Sequence, residues 1–292
     1  MLEDALVAIG DVLRPGDEIV VVDSASKDDS VRQVAARAGM RVVRCDRAGQ
    51  SRARNRGIQA SSAPLIAFTD DDCRPKPGWP DALVAAFADD PAIGFVTGQV
   101  LPDRNEGPTL SVLVDDEPRT FAYGSASGLL GHGANFAVRR EAITAVGGFD
   151  EALGIGGGLG VVDDHDAFWR ILRAGWMGRY SPEALLVHHQ WRTRREYLRT
   201  QLGYGLGSGA LAVKAIRMEP RGGWRYLWNE LWRDGVVTAA GALRQGDETG
   251  AAGTAVRTVA AVVGAMRAWR APLDGGMYQP PADGLRSVGP TG

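Results

Sequence analysis

The amino-acid sequence predicts an α/β fold with a mostly parallel central sheet flanked by helices, followed by a helical C-terminal region. Two short apolar runs, EIVVVD at 18–23 and LIAFT at 65–69, are each followed by polar turn residues and a helical pattern. This alternation is typical of parallel sheets. From about residue 190 onward, arginine, tryptophan and alanine recur with helical spacing and without strand-like runs.

Further elements follow in the same alternating order. RVVR and GFVTGQV indicate strands at 41–44 and 94–100, and helical patterns lie at 31–39, 79–90 and 163–175. Glycine closes two of the helical patterns, at Gly39 and Gly175, where helices commonly end. We therefore expect an α/β domain over 1–190, a helical region over 191–270 and a disordered, proline- and glycine-rich tail over 271–292.

Charge is nearly balanced, with 33 lysine and arginine residues against 35 aspartate and glutamate residues. No overall field would gather a nucleic acid, so we expect no nucleic-acid partner. The 39 glycine residues exceed the usual share of about 7%. Many of them cluster at 154–160 and 203–209, and loops that approach a ligand closely are one reason for such clusters.

Cysteine use and the N-terminus favour a cytoplasmic protein. Cys45 and Cys73 are too few for a disulfide framework and show no CxxC spacing. The first residues carry acidic rather than basic side chains, so we expect no signal peptide. Lys214, Arg257 and Arg267 interrupt the apolar stretches before these reach the roughly 20 residues of a membrane span.

Three consecutive carboxylates, Asp70 to Asp72, follow directly after the predicted strand at 65–69. Ligands usually bind at the carboxyl ends of strands in open α/β sheets. Adjacent carboxylates repel one another, and a divalent cation between them relieves that repulsion. Oxygen ligands suit Mg²⁺ or Mn²⁺, whose remaining positions water and phosphate oxygens can fill. The alternative is a solvated turn that caps the helix beginning at 79.

Six motifs in order resemble the family 2 glycosyltransferases of the GT-A fold. They are VVDSASKDDS at 21–30, RARNRG at 52–57, FTDDDC at 68–73, GANFAVRR at 133–140, GGFDE at 147–151 and DDHDAFWR at 163–170. The resemblance implies a GT-A-like domain, a nucleoside diphosphate-sugar donor, and a saccharide or lipid-linked acceptor with a free hydroxyl. It also implies Mn²⁺ or Mg²⁺ as cofactor and inversion at the sugar. The family's Gln-x-x-Arg-Trp motif of processive synthases is absent, so we expect one sugar per encounter.

The resemblance assigns donor-binding roles to residues of the first half. Asp23 would contact the nucleotide base, and Arg54 would help to hold the nucleotide. Asp70 and Asp71 would lie at the donor. Asp70 and Asp72 would form the DxD pair that holds the metal ion.

Asp163 and Asp164 match the family's second acidic motif, which is usually Glu-Asp before a helix. The resemblance makes Asp164 the catalytic base and places Asp163 at the acceptor or sugar. A transfer from a diphosphate requires charge neutralisation at the leaving group and deprotonation of the acceptor, which a metal ion and a carboxylate supply. The helix dipole would keep both carboxylates ionised, and simple N-capping is the alternative. The glycines at 154–160 predict a flexible loop that closes over the site.

Other residues have two interpretations each. Asn135 resembles a family position near the acceptor or donor sugar, or it stabilises a turn. His188 resembles a histidine that reaches the metal ion or the diphosphate, or it is a buried structural histidine. A nearby basic cluster could clamp the pyrophosphate or solvate a helix; it consists of Arg192, Arg194, Arg195 and Arg199.

Family members usually begin with a hydrophobic strand whose loop forms part of the nucleotide-base pocket, and no such strand precedes the helical pattern at the N-terminus. The sequence is then a fragment, has a start codon placed too late, or has lost donor binding. Loss of donor binding gives one rival hypothesis, a catalytically inactive relative that acts as a binding or scaffold protein. A nucleotidyltransferase is the second rival, although its glycine-rich basic loop after the first strand is not visible.

The segment WRYLWNELWRD at 224–234 aligns Trp224, Trp228 and Trp232 on one helical face. Such a face could rest in a lipid interface, which would place the enzyme at the inner side of a membrane. The alternative is that this helix packs against the catalytic domain or a partner chain.

Overall fold

The computed structural model describes residues 1–104, 109–124 and 130–279. Its helices, α1 to α10, are Leu2–Val12, Ser30–Arg37, Gln50–Ala60, Trp79–Ala88, Arg140–Ala145, Asp163–Arg173, Arg194–Met218, Pro220–Leu231, Thr238–Arg244 and Glu248–Trp269. A π-helical segment, Trp232–Val237, connects α8 to α9. The strands, β1 to β10, are Val20–Ser24, Arg41–Cys45, Leu65–Thr69, Cys73–Pro75, Ile93–Pro102, Arg119–Phe121, Asn135–Arg139, Met177–His188, Leu273–Asp274 and Met277–Tyr278.

The α/β class with flanking helices and a helical C-terminal region is confirmed, but the prediction of a mostly parallel sheet is wrong. The main sheet has the order β3-β7-β5-β8-β4, with β6 paired to β8. Within it β5 and β8 are parallel, and the other described pairs are antiparallel. β1 and β2 form a separate parallel pair. The parallel pairs are those joined through helices, whereas β4, β6 and β7 are short strands whose direction no sequence pattern indicated.

The largest core cluster lies between the main sheet and helices α5 and α6. Phe95 of β5 stacks on Phe168 of α6, with ring centroids 4.4 Å apart. Phe136 of β7 meets the same ring edge-on at 5.3 Å. These contacts hold α6 against the sheet, so the position of the first turn of α6 is set by the aromatic core.

The glycine cluster at 203–209 serves helix packing rather than a loop. These residues lie inside α7, which packs against α10. A Cβ atom on Gly205 or Gly209 would overlap backbone carbonyl oxygens of α10, and one on Gly264 would overlap the backbone of α7. Glycine therefore allows the two helix backbones to approach more closely than any other residue would.

A buried ionic network joins the C-terminal helices to α6. The Nζ of Lys214, in α7, donates to Asp150 Oδ2 at 2.6 Å and forms an ion pair with Asp166 Oδ1 at the same distance. Arg170 completes the network through Asp166 Oδ2, at 2.7 Å from NH2. The charges of Lys214 and Arg170 balance those of Asp150 and Asp166, and all four residues are buried. Burial of such charges is tolerated only because they are paired.

Lys214→Met should lower the free energy of unfolding by about 3–5 kcal/mol, because it leaves a buried carboxylate without its counter-ion. Urea unfolding at neutral pH measures the change. Arg217→Met is the matched control, since Arg217 lies one turn away on the solvent side of α7 and donates to the carbonyl of Ala271. A cost for Lys214→Met no larger than that of the control would contradict the assigned role of the network.

The start of the segment predicted as a disordered tail is ordered, which corrects that prediction for residues 271–279. β9 and β10 form an antiparallel hairpin. Tyr278 is buried, its backbone N–H donates to Asp150 Oδ2 at 2.8 Å, and its hydroxyl donates to the carbonyl of Ala210 at 2.7 Å. One aromatic side chain inserted beside Lys214 is enough to anchor a stretch that has no periodicity. Residues 280–292 lie outside the described residues.

Candidate active site

The acidic run after β3 and the end of β8 meet in one place. β4 pairs antiparallel with β8, with Cys73 opposite His188. This register places Asp72 Oδ1 3.4 Å from Nε2 of His188. Both side chains are buried. The structure therefore brings together two residues that the sequence predicted as metal ligands.

Asp72 is held in its ionised form. Nε1 of Trp191 donates to its Oδ2 at 2.9 Å, and the guanidinium of Arg192 lies 3.7 Å from the same oxygen. Burial alone would raise the pKa of Asp72, but the hydrogen bonds from His188 and Trp191 and the charge of Arg192 outweigh it and lower the pKa to about 2. Asp72 is thus a carboxylate throughout the physiological range, as a metal ligand must be.

The orientation of His188 follows from Gln190. The side-chain oxygen of Gln190 accepts from the N–H of Leu110 at 2.9 Å, and its Nε2 donates to the Leu110 carbonyl at 3.0 Å. The same Nε2 lies 2.6 Å from Nδ1 of His188. Since the amide orientation is set by the backbone, Nδ1 accepts, and the proton of a neutral His188 is placed on Nε2, facing Asp72.

Asp70 and Asp71 have higher pKa values than ordinary aspartates. Burial raises the pKa of Asp70 to about 6, with a smaller contribution from the charge of Asp72 and with Arg54 opposing the shift. Burial and the charge of Asp72 also raise the pKa of Asp71. Adjacent carboxylates that resist ionisation in the absence of a cation are what a divalent ion stabilises.

The donor atoms present fit a hard divalent cation. Ligand atoms of Asp72, Cys73 and His188 lie within 4.8 Å of one another. Burial raises the pKa of the Cys73 thiol far above its ordinary value, so Cys73 stays protonated and does not supply a thiolate. The carboxylate of Asp72 is an oxygen ligand that suits Mg²⁺ or Mn²⁺ rather than a soft metal. Asp70 does not belong to this group of ligand atoms, and its role as a metal ligand stays a prediction.

Asp70→Asn should stabilise the metal-free protein at pH 7 by about 1–3 kcal/mol, as the shift in pKa implies. A carboxyl group whose pKa rises from 3.8 to about 6 on folding favours the folded state when protonated. The stability of the unsubstituted protein should therefore increase as the pH falls from 7 toward 4, and the difference from the variant should shrink. Chemical denaturation in EDTA across this range measures it. A variant less stable than the unsubstituted protein at pH 7 in EDTA would contradict the assignment.

The second acidic site lies at the start of α6. NH1 of Arg54, in α3, donates to Asp163 Oδ2 at 2.7 Å, and Ser51 Oγ donates to the same oxygen at 3.2 Å. Asp163 is buried, and burial raises its pKa despite these partners. Its carboxylate is thus bound to α3, and it holds Arg54 in place.

Asp164 differs from Asp163 in the direction of its pKa shift. Its Oδ1 accepts the backbone N–H of His165 at 2.9 Å. Burial acts to raise its pKa, but the charges of His165 and Arg54 and this hydrogen bond leave the pKa below the ordinary value. A Cβ atom on Gly133 would lie 2.8 Å from Oδ2 of Asp164, so only glycine leaves room beside that oxygen.

Arg54 connects the two acidic sites. Besides Asp163, its guanidinium donates to the carbonyl of Gly133 at 2.9 Å. The charges of Asp163, Asp70 and Asp164 all act on it. The two acidic runs, 91 residues or more apart along the chain, therefore face one cationic group, and this juxtaposition is the main result that the structure adds to the sequence.

Asp23 lies apart from this centre, at the end of β1. Its Oδ1 accepts the N–H of Ser26 at 2.9 Å, and it forms an ion pair with Arg44 of β2. Burial acts to raise its pKa, but the bonds to Ser26 and the charge of Arg44 leave it lower than usual. Its contact with a nucleotide base stays a prediction.

Asn135 is fully buried at the start of β7. Its side-chain oxygen accepts from Nε1 of Trp79 at 2.8 Å, and its amide donates to the carbonyls of Gln99 at 2.8 Å and Ala184 at 2.6 Å. The side-chain amide of Asn135 therefore links β7 to β5, β8 and α4 through hydrogen bonds. Its proposed sugar contact stays a prediction, and these bonds support the structural interpretation.

The loop at 154–160 is packed between α3 and α7, unlike the flexible loop that its glycines predicted. A Cβ atom on Gly154 would lie 2.6 Å from Ser51 Oγ, and one on Gly160 would overlap the backbone of Gly207. Both glycines have positive φ, at 89° and 109°. Here glycine permits close approach of backbones rather than mobility.

Sequence reasoning did not identify three side chains at this site, namely Trp191, Gln190 and Tyr204. Gln190 and Trp191 lie two and three residues after His188, and this proximity in the sequence was the signal that could have identified them. The hydroxyl of Tyr204 lies 3.4 Å from Ser111 Oγ. Burial raises the pKa of Tyr204, and the charges of both acidic sites act on it, so a neutral phenol lies beside them.

Comparisons with known proteins agree with this geometry. The profile of glycosyl transferase family 2 matches residues 1–147. The pre-mycofactocin glycosyltransferase of Mycobacterium tuberculosis is 29% identical over 219 residues, which are 68% of this chain and 43% of that protein. Glycosyltransferase AglE of Haloferax volcanii is 26% identical over 199 residues, 65% of this chain and 62% of that protein. The chain thus spans less than two thirds of the length of these relatives.

Solved structures show the same fold. A mannosyltransferase from Pyrobaculum calidifontis, PcManGT, in complex with GDP-Man and Mn²⁺, superposes with a TM-score of 0.58 at 19% identity, covering 91% of this chain and 83% of that one. S. aureus TarS gives a TM-score of 0.50 at 14% identity, covering 74% of this chain and 37% of that one. At these identities the likeness concerns the GT-A fold alone. The match of the family profile over 147 of 292 residues shows that this chain belongs to glycosyl transferase family 2.

Proposed function

We propose that this protein transfers a sugar from a nucleoside diphosphate-sugar to an acceptor hydroxyl with the help of a divalent metal ion, and that Asp164 is the base. The main support for this proposal is that the two acidic sites both face Arg54. In addition, the pKa values of Asp164 and Asp72 lie below that of an ordinary aspartate. One acidic site would hold the metal ion that neutralises the leaving diphosphate, and the other would take the proton of the acceptor hydroxyl. The reaction requires both.

The proposed roles follow from the contacts. Asp70 and Asp72 would hold Mn²⁺ or Mg²⁺, with His188 beside Asp72. When bound, the ion supplies the positive charge that stabilises the departing diphosphate. The guanidinium of Arg192 lies beside Asp72 Oδ2 and can bind phosphate oxygens, whereas Nε2–H of the buried His188 faces Asp72 Oδ1. Arg54 donates hydrogen bonds to Asp163 and to the carbonyl of Gly133. Its role would therefore be to position the base and to balance the negative charge of that carboxylate.

Asp164 completes the reaction as proton acceptor. The acceptor oxygen forms its bond to the anomeric carbon while the bond from that carbon to the diphosphate oxygen breaks. The proton of the acceptor hydroxyl passes to Asp164 Oδ2, and the electron pair of the broken bond leaves with the diphosphate. One displacement of this kind inverts the configuration at the anomeric carbon, and we expect one sugar per encounter.

The donor class is proposed from three features together. PcManGT binds GDP-Man and Mn²⁺ on the same fold. Asp23 lies at the end of β1, where the family resemblance predicts the nucleotide base, and the oxygen ligands of the metal site suit a diphosphate complex. The acceptor would be a saccharide or a lipid-linked hydroxyl, reached from the cytoplasmic side.

Isothermal titration of UDP, GDP and dTDP, each with and without Mn²⁺, tests the donor class. We expect one nucleoside diphosphate to bind with a dissociation constant at least about tenfold lower in the presence of Mn²⁺ than in EDTA, because the ion joins the carboxylates to the diphosphate. Absence of Mn²⁺-dependent binding for all three nucleotides would overturn the proposed donor and favour a relative without transferase activity.

A further inference from the structure

The C-terminal helices carry most of the large apolar side chains that the described residues expose. Of α8, α9 and the π-helical segment these are Trp224, Trp228, Trp232, Val236, Val237 and Leu243, and of α10 they are Val259, Val262, Met266 and Trp269. Trp228 is 64% exposed and Val259 is 67% exposed. Monomeric soluble proteins seldom expose such residues as a cluster, so this set indicates a surface that another body covers. We refer to it as the apolar face.

The apolar face is regular. Val259, Val262, Met266 and Trp269 recur at three- and four-residue spacing along one side of α10. The π-helical segment and α9 both contact α10, so these elements form one layer. The rings of Trp228 and Trp232 stack on one another at 6.0 Å, still exposed to solvent. The alternative that the tryptophan helix packs against the catalytic domain is therefore wrong for these side chains.

The elements that bear this face are basic, in contrast to the whole chain. Residues 220–270, which hold α8, the π-helical segment, α9 and α10, contain 7 arginine residues against 4 aspartate and glutamate residues, a formal charge of +3 in a chain whose total is −2. The charged residues of α10 are Glu248, Arg257 and Arg267, and Arg270 follows directly after its end. An occupant of this surface should therefore be anionic as well as apolar.

The packing of α10 favours a helix that lies on a membrane over one that crosses it. By length and composition alone α10 could span a bilayer, with a mean hydropathy of 1.2 over 18 residues, 28% of which are buried. Gly205, Gly209 and Gly264 bring α10 into backbone contact with α7, and α7 is anchored by the buried Lys214. Insertion across a membrane would require these contacts to break. Among the described residues, the large apolar side chains that α10 leaves exposed are Val259, Val262, Met266 and Trp269.

We propose that the apolar face docks on the surface of an anionic lipid bilayer, with its tryptophans at the level of the headgroups and the arginines against the lipid phosphates. Tryptophan and arginine side chains suit that depth, because each has an apolar body and a polar end. The positive region gains further attraction from the negative surface potential of the bilayer.

A second copy of this chain fits the apolar face less well. A symmetric dimer places the same patch of both chains in contact, so two regions of formal charge +3 would face one another. The bilayer has the opposite sign. The docking proposal is independent of the transfer chemistry, because none of the residues of the apolar face belongs to the active site.

Co-sedimentation with vesicles tests the proposal on the full chain. The protein should bind vesicles that contain phosphatidylglycerol at least about tenfold more tightly than vesicles of phosphatidylcholine, and high salt should remove most of that preference. The triple substitution Trp224→Ala, Trp228→Ala, Trp232→Ala should lower the affinity by roughly tenfold or more through lost apolar burial. Val7→Ala, at an exposed apolar site on α1, is the matched control and should change it by less than about twofold.

The urea midpoint of each variant establishes that it remains folded, and size-exclusion chromatography reports its association. Lack of binding to either kind of vesicle would overturn the proposal. So would binding that the triple variant retains, or binding that Val7→Ala weakens as much as the triple variant does. A dimer in solution that the triple variant dissociates would assign the apolar face to a second copy instead.

Discussion

Asp164→Asn should reduce the rate of sugar transfer by roughly 10²–10⁴-fold while it leaves nucleotide affinity within about twofold. The amide keeps the size of the side chain but cannot accept a proton from the acceptor hydroxyl. Folding should be little affected, because Arg54 is held by Asp163 and Gly133 rather than by Asp164. Initial rates at saturating donor, together with titration calorimetry of the nucleotide, separate the chemical step from binding.

Asp164→Glu is the matched control for this prediction. It restores a proton acceptor, displaced by one methylene, and should recover part of the lost rate. Since the pKa of Asp164 lies below that of an ordinary aspartate, the unsubstituted enzyme should not lose its base by protonation between pH 5 and pH 8. An Asp164→Asn variant with a normal rate would exclude this residue as the base.

Asp72→Asn should abolish the Mn²⁺ dependence of nucleotide binding and lower transfer by about 100-fold or more, because the ion loses its one strongly ionised ligand. The pKa of about 2 marks Asp72 as the carboxylate that needs no metal to remain charged. Electron paramagnetic resonance of free Mn²⁺ reports the loss of metal binding directly. Trp191 and Arg192 would lose a partner as well, so the folded state of the variant requires a urea midpoint.

Asp71→Asn is the comparison for the metal site. Asp71 is more exposed than Asp72, which is buried beside His188. Its substitution should weaken Mn²⁺ binding by less than about threefold, as expected for a nearby charge rather than a ligand. Equal losses for Asp71→Asn and Asp72→Asn would show that general negative charge, and not the ligand set, holds the ion.

The sequence predicted several strands and helices of the first half because their patterns are local, but it did not predict α3 or the short strands β4 and β6. The apolar run at 65–69 became β3, and the helical pattern at 163–175 became α6 over Asp163–Arg173. It did not predict strand direction, since the antiparallel pairing of β7 with β3 and β5 depends on contacts between distant segments. It also did not predict the hairpin at Leu273–Asp274 and Met277–Tyr278, which depends on one buried side chain.

The site was predicted as a list of residues but not as an arrangement. Nothing in the sequence indicated that Arg54 would lie between the two acidic runs, or that Gln190 would orient His188 through the backbone of Leu110. The glycines at 154–160 were interpreted as a mobile loop because composition does not distinguish flexibility from close packing. The structure shows close packing at this loop, because Gly160 lies against the backbone of α7.

The most direct test of the account is the release of nucleoside diphosphate from UDP-, GDP- and dTDP-sugars, measured with Mn²⁺ and with EDTA for the intact protein and for Asp164→Asn. We predict release from one donor class that requires Mn²⁺ and that Asp164→Asn removes. Release that persists in EDTA, or that Asp164→Asn leaves unchanged, would contradict the proposed mechanism. Absence of release from every donor, with no Mn²⁺-dependent nucleotide binding, would contradict the assignment of transferase activity itself.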